Sequence, residues 1–106
     1  AVACEPTFSA YSSAKRGLDG IVRVLAKEVG RHNITVNQIA PGWTITDKER
    51  EWGVNPAPEY CETVPLRHRG TDVDIANMAA FLSSDLAGFT TGAFIPVAGG
   101  RVMPAI

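Results

Sequence analysis

The stretch ITVNQIAPG, residues 34–42, limits the possible fold more than any other part of this chain. Its β-branched residues read as a short strand over 34–40, which Pro41 and Gly42 end. One helical pattern precedes it, another follows, and AFIPVAGG closes the regular part as a second strand over 93–98. The order is helix, strand, long loop, helix, strand, which predicts an α/β fold. A parallel strand of this kind expects neighbours on both sides and helices on both faces. Two strands and two helices cannot supply them. A 106-residue chain with that much unmatched apolar face is expected to self-associate, to bind a complementary segment or to fold poorly.

The first helix is predicted over 11–30. Ala14, Leu18, Ile21, Val22, Leu25 and Val29 recur at three- and four-residue steps and make an apolar stripe, and Gly30 and Asn33 supply stop signals. Gly17, Gly20 and Val24 form a second strip. Each interior glycine costs a helix about 1 kcal/mol relative to alanine, so two of them imply close approach by another helix. Residues 43–70 have no period and hold Pro56, Pro58 and Pro65 with Trp43, Trp52 and Tyr60. They read as one long functional loop, the most mobile part of the chain. Thr71 is placed to cap a second helix over 71–86, with Asp72 and Asp74 in its first turn and Ile75, Met78, Ala79, Leu82 and Leu86 as its stripe. Pro96 argues for an edge position of the last strand, because proline cannot donate to a ladder. The whole chain, 1–106, reads as one domain.

Composition removes several classes of function. A net charge of −1 gives no electrostatic case for nucleic acid or an anionic membrane as partner. No apolar run approaches the roughly 20 residues of a membrane span, and no signal-peptide layout is present. Cys4 and Cys61 lie far apart, as do His32 and His68, so neither a disulfide framework nor a metal site is indicated. Reduced thiols in a cytoplasmic protein are the expectation. Arg67, His68 and Arg69 read as a solvated basic cluster, and Ser9, Ser12 and Ser13 as caps or solvated side chains.

Chemistry is suggested by YSSAK, residues 11–15. Tyr11 and Lys15 stand at i and i+4 and project from one side of the helix. A free tyrosine has a pKa of about 10 and transfers protons poorly at neutral pH. A nearby ammonium favours the phenolate and brings the hydroxyl into a useful range; taken alone, the spacing equally fits two surface residues that share a helical face.

In context, these residues resemble the short-chain dehydrogenase/reductase family. YSSAK resembles its Tyr-x-x-x-Lys motif, ITVNQIAPGWTITD its strand and Pro-Gly-x-x-x-Thr loop, and GTDVDIANMAAFLSSDLAGFTTGAFIPVAGG its late helix and last strand. The motifs stand in the family's order and spacing over residues 9–100, nearest to the sugar dehydrogenases and 3-oxoacyl-carrier-protein reductases. The resemblance implies the carboxyl-terminal half of a Rossmann-type doubly wound sheet and NAD(P)-dependent interconversion of an alcohol and a ketone. It makes Tyr11 the proton donor or acceptor, and Lys15 the residue that lowers its pKa and holds the nicotinamide ribose. Pro41 and Gly42 would shape the turn beside the nicotinamide. Thr46 would meet its carboxamide or the phosphates, and Thr44, where isoleucine or valine is usual, would act through its backbone. Trp43 and Trp52 either line a substrate pocket or cover a core edge. Ala98 replaces the usual aspartate of the family's Val-Asp-Gly-Gly ending.

The family's glycine-rich phosphate turn and active-site serine match nothing in these 106 residues. The chain therefore reads as a truncated domain, inactive alone, that would pair with a complementary amino-terminal half or form a homo-oligomer. The alternative is a non-catalytic oligomerisation or interaction module.

Overall fold

The structure, a computed structural model, describes residues 9–53 and 57–103, with only the backbone of Tyr11, Ser12 and Trp52. Cys4 and Pro56 lie outside the described residues. Helix α1 (Ser9–Val29) continues into a 3-10 turn at Gly30–His32. Asn33 stops it in the left-handed region at φ 60°, donating its N–H to the Gly30 carbonyl, a conformation that asparagine tolerates better than most residues. Of the expected apolar stripe only Val22 is buried, joined by Ala26 one turn on, while Leu18, Ile21 and Leu25 remain 43%, 62% and 40% exposed. Gly92 explains the choice of face. A Cβ there would stand 3.6 Å from the Ala26 methyl, so the chain approaches α1 on the 22/26 side.

Strand β1 (Gln38–Pro41) pairs in parallel with β2 (Phe94–Val97), Gln38 opposite Phe94 and Pro41 opposite Val97. β1 starts four residues later than the sequence suggests. Asn37 is the reason: its side-chain amide donates to the Thr90 carbonyl (3.0 Å) and accepts from the Ala93 N–H (3.1 Å). Val36 adds an N–H donated to Thr91 Oγ1 and a carbonyl that accepts from Gly92. Residues 36 and 37 are thus tied to the turn ahead of β2 by three side-chain bonds and one backbone bond, and the regular ladder begins beyond them. Its flanking bonds, Gln38 N–H to Ala93 and Gly42 N–H to Val97, set the phase of the ladder. The odd-numbered residues of β2 face β1, and Pro96 turns its nitrogen to the outer edge, where no donor is required.

Residues 43–70 are not one irregular loop. They contain α2 (Asp47–Trp52) and α3 (Pro58–Glu62), and a bridge from Ile45 to Thr71 holds their two ends together, with the Ile45 N–H donating to the Gly70 carbonyl at 2.9 Å. Helix α4 (Asp72–Leu82) is capped as expected, the Asp74 carboxylate accepting from the Thr71 N–H at 2.9 Å. It ends at Leu82, short of 86. The Ser84 hydroxyl donates to the Phe81 carbonyl and competes with further helix, and a 3-10 turn follows at Asp85–Ala87. Among the described residues the buried apolar ones are few: Val22, Ala26, Val64 and Ala87. Val64, 2% exposed, packs on the turn after β2, where Gly99 and Gly100 both have positive φ.

Candidate active site

Because the strands are parallel, their carboxyl ends open on one edge of the sheet, where open α/β sheets place their ligands. A cleft of about 530 Å³ lies there, lined by Gly42, Trp43, Tyr60, Leu66, Met78 and Gly99 among others. Gly42 allows the two strand ends to come together. A Cβ at this position would stand 3.1 Å from Ala98 Cα and 3.3 Å from Tyr60 Oη, so any side chain would force them apart.

Tyr60 and Trp43 form one wall. The Trp43 N–H donates to Tyr60 Oη at 3.0 Å, and the two rings meet edge to face with centroids 5.1 Å apart. Such aromatic pairs add about 1 kcal/mol beyond their buried area. The Arg101 guanidinium also sits over Tyr60, 5.0 Å from the ring centroid, and donates through Nε to Thr63 Oγ1.

Arg69 is the centre of the site's polar structure and overturns the expectation of a solvated cluster. Its side chain is 2% exposed. Nε donates to the Trp43 carbonyl (3.1 Å), Nη2 to the Thr44 carbonyl (3.1 Å), and Nη2 also to both Glu49 oxygens (2.9 and 3.1 Å). Its guanidinium lies 4.1 Å from the Trp43 ring centroid. A buried charge is tolerated only when paired and hydrogen-bonded, and Arg69 meets both requirements. Arg67 remains exposed, donating to the Glu62 carbonyl, and the His68 ring lies beside the Arg69 carbonyl.

Glu49 has a second duty. Thr46 is the N-cap of α2: its hydroxyl accepts from the Glu49 N–H (3.3 Å), and Glu49 Oε2 accepts from the Thr46 N–H (2.9 Å). The side-chain bond from Arg69, then the Thr46 backbone N–H, hold the Glu49 carboxyl below its ordinary range against a smaller opposing effect of burial. Arg50 ties α2 to the start of α4 through Asp72 (2.6 Å), and that bond lowers the Asp72 pKa and raises that of Arg50.

The expected site residues fall into two groups. Pro41 is the last residue of β1, and Gly42, Trp43, Thr44 and Thr46 follow it on the strand-end edge; Pro41 and Thr46 are exposed, Trp43 is 49% exposed, and Thr44 Oγ1 donates to the Gly42 carbonyl. Tyr11 and Lys15 both lie in the first half of α1, where Lys15 is exposed. The Tyr11 and Trp52 side chains lie outside the described residues. Arg69, Glu49 and Tyr60 are the residues that sequence reasoning passed over. Among the described residues no group of three His, Cys, Asp or Glu could hold a metal, and no helix is long and apolar enough to cross a membrane.

A family model described as enoyl-(acyl carrier protein) reductase matches residues 1–101. The 3-oxoacyl-(acyl-carrier-protein) reductase FabG of Pseudomonas aeruginosa is 44% identical over 93 residues, covering 88% of this chain and 38% of the relative. Among solved structures, an oxidoreductase of the short-chain dehydrogenase/reductase family from Burkholderia thailandensis superposes with a TM-score of 0.82 at 38% identity, over 89% of this chain and 38% of that one. A blue fluorescent protein from a metagenomic library, solved in complex with NADPH, gives 0.77 at 34% identity, over 88% and 37%. The chain thus spans about two fifths of the length of the relatives it matches. Its parallel strand pair is part of their Rossmann-type α/β sheet. A family match over residues 1–101, with these identities behind it, makes the chain a member of the short-chain dehydrogenase/reductase family.

Proposed function

We propose that this chain carries the proton-transfer and nicotinamide-facing part of an NAD- or NADP-dependent oxidoreductase that interconverts a small alcohol and its ketone in the cytoplasm. The observation that carries the reading is the position of residues 41–46. They leave β1 at the shared carboxyl edge of the sheet, beside the cleft, in a chain whose family match covers them. The groups there suit a nicotinamide amide. Arg69 takes one lone pair of the Thr44 carbonyl and leaves the second. The Thr46 hydroxyl donates only at 3.4 Å, to Glu49, and can turn to a better acceptor. The cofactor, when bound, supplies or removes hydride at the substrate carbon. Tyr11 gives the substrate oxygen its proton or takes it away, and Lys15 favours the phenolate and holds the ribose. Trp43 and Trp52 flank the substrate.

The test is a chimera in which these residues replace the matching segment of the Pseudomonas reductase, assayed with NADPH and a 3-oxoacyl substrate. The 106-residue chain alone is expected to give no turnover. The chimera should be active, and Tyr11→Phe should lower kcat by about 100-fold or more, the usual scale for a positioned general acid, with cofactor affinity within twofold. Turnover unchanged by Tyr11→Phe would sink the assignment.

A further inference from the structure

We propose that Arg69 is a positioning residue for the cofactor-facing turn, and that through Glu49 it makes the geometry of that turn depend on the folding of α2. The inference rests on the nicotinamide reading for its purpose and on hydrogen bonding for its mechanism. The two carbonyls that Arg69 holds, Trp43 and Thr44, are consecutive, so one rigid guanidinium fixes the peptide plane between them. That plane bears the Thr44 N–H and adjoins the carbonyl proposed to meet the carboxamide. The same guanidinium covers the Trp43 ring, so the indole cannot swing without breaking the stack. Its remaining strong partner is Glu49, whose carboxylate is held in place by the α2 cap. Unwinding α2 would remove the cap, release Glu49 and leave a buried cation unpaired beside the turn. The arrangement is therefore cooperative. The substrate-side helix forms and the nicotinamide-side backbone is fixed together, or neither is.

A lysine at 69 would keep the charge but could neither span two carbonyls and a carboxylate nor stack on the indole. Glu49→Gln would keep an acceptor for the Thr46 N–H while removing the ion pair. Both variants should be made in the 106-residue chain carrying Trp52→Phe, so that Trp43 alone reports. Acrylamide quenching of Trp43 should rise at least twofold in each, and the Ile45 amide, bonded to Gly70, should exchange at least tenfold faster. In the chimera, Arg69→Lys should raise KM for NADPH fivefold or more with kcat within about twofold, a split that general destabilisation would not give. Parent-like quenching and exchange in both variants would overturn the clamp. Altered quenching with an unchanged KM would overturn the positioning role. A parent chimera without turnover would instead count against the proposed function, and the quenching result would still decide the clamp.

Discussion

Glu49 makes the site sensitive to acid in a direction that can be worked out. Its carboxyl is held below the ordinary value of 4.5, first by the bond from Arg69 and then by the Thr46 N–H. A folded-state pKa that is lowered stabilises the fold above the unfolded value, and that contribution is lost as pH falls through the lowered one. The Trp43 environment should therefore be constant from neutral pH down to about 4.5 and loosen only below it. Asp72, lowered by its bond from Arg50, shares the direction and would contribute to melting of the α2–α4 contact. Glu49→Gln separates the two, since it should abolish the Trp43 transition and spare the other. Trp43 emission followed from pH 7 to pH 3 checks this, and a transition centred above 4.5 would contradict it. Arg69 itself could not be found by inspection. Three neighbouring cations at 67–69 look alike, and what buries the third is contact with Trp43 and Glu49, which stand 26 and 20 positions away.

At the scale of elements, the turn after β2 is where backbone geometry is most constrained. Gly99 has φ +63°, and a Cβ there would stand 2.7 Å from Val64 Cγ1, in a side chain that is itself buried. Gly53, after α2, has nearly the same φ, +62°, but open space around it. Gly99→Ala should therefore cost about 3 kcal/mol, adding overpacking to strain, and Gly53→Ala only about 1 kcal/mol. Urea unfolding of the two variants distinguishes them, and equal losses would show that packing on Val64 is unimportant. Elements with local causes were legible in the sequence: α1 from its period, α4 from Thr71 and Asp74, the end of β1 from Pro41 and Gly42. Thr46-x-x-Glu49 has the same kind of capping signal, but the prolines around it make the region look irregular, and α2 was missed. The start of β1 had no local cause at all. Asn37 replaces the ladder there by bonding to residues 90 and 93, a contact that only the tertiary fold creates.

The whole molecule is more extended than its length requires. Its radius of gyration is 15.6 Å, against about 13 Å for a compact domain of this size, and α1 presents Ile21 and Val24 to solvent at 62% and 57% exposure. Gln38 Oε1, on the strand at the sheet's open side, is buried without a hydrogen-bond partner among the described residues. A surface of this kind is expected to be covered, and we expect the cover on α1 to be a second copy of the chain. The shallow groove along Gly17, Gly20, Ile21, Val24, Leu25 and Glu28 has the small residues that let two helices approach closely. Among the described residues those glycines have no packing reason, since a Cβ added at Gly17 or Gly20 meets nothing within 4 Å. Gly20→Ala should then stabilise an isolated chain by about 1 kcal/mol through helix propensity alone. If association uses the groove, the same methyl should weaken it, and Gly20→Glu should weaken it further by placing a charge at the contact. Sedimentation at micromolar concentration, run beside thermal unfolding, tells the cases apart. A folded monomer whose Gly20→Ala variant is simply more stable would defeat the idea. An assembly that loosens with Gly20→Ala and separates with Gly20→Glu would show that α1 keeps its glycines for a neighbour.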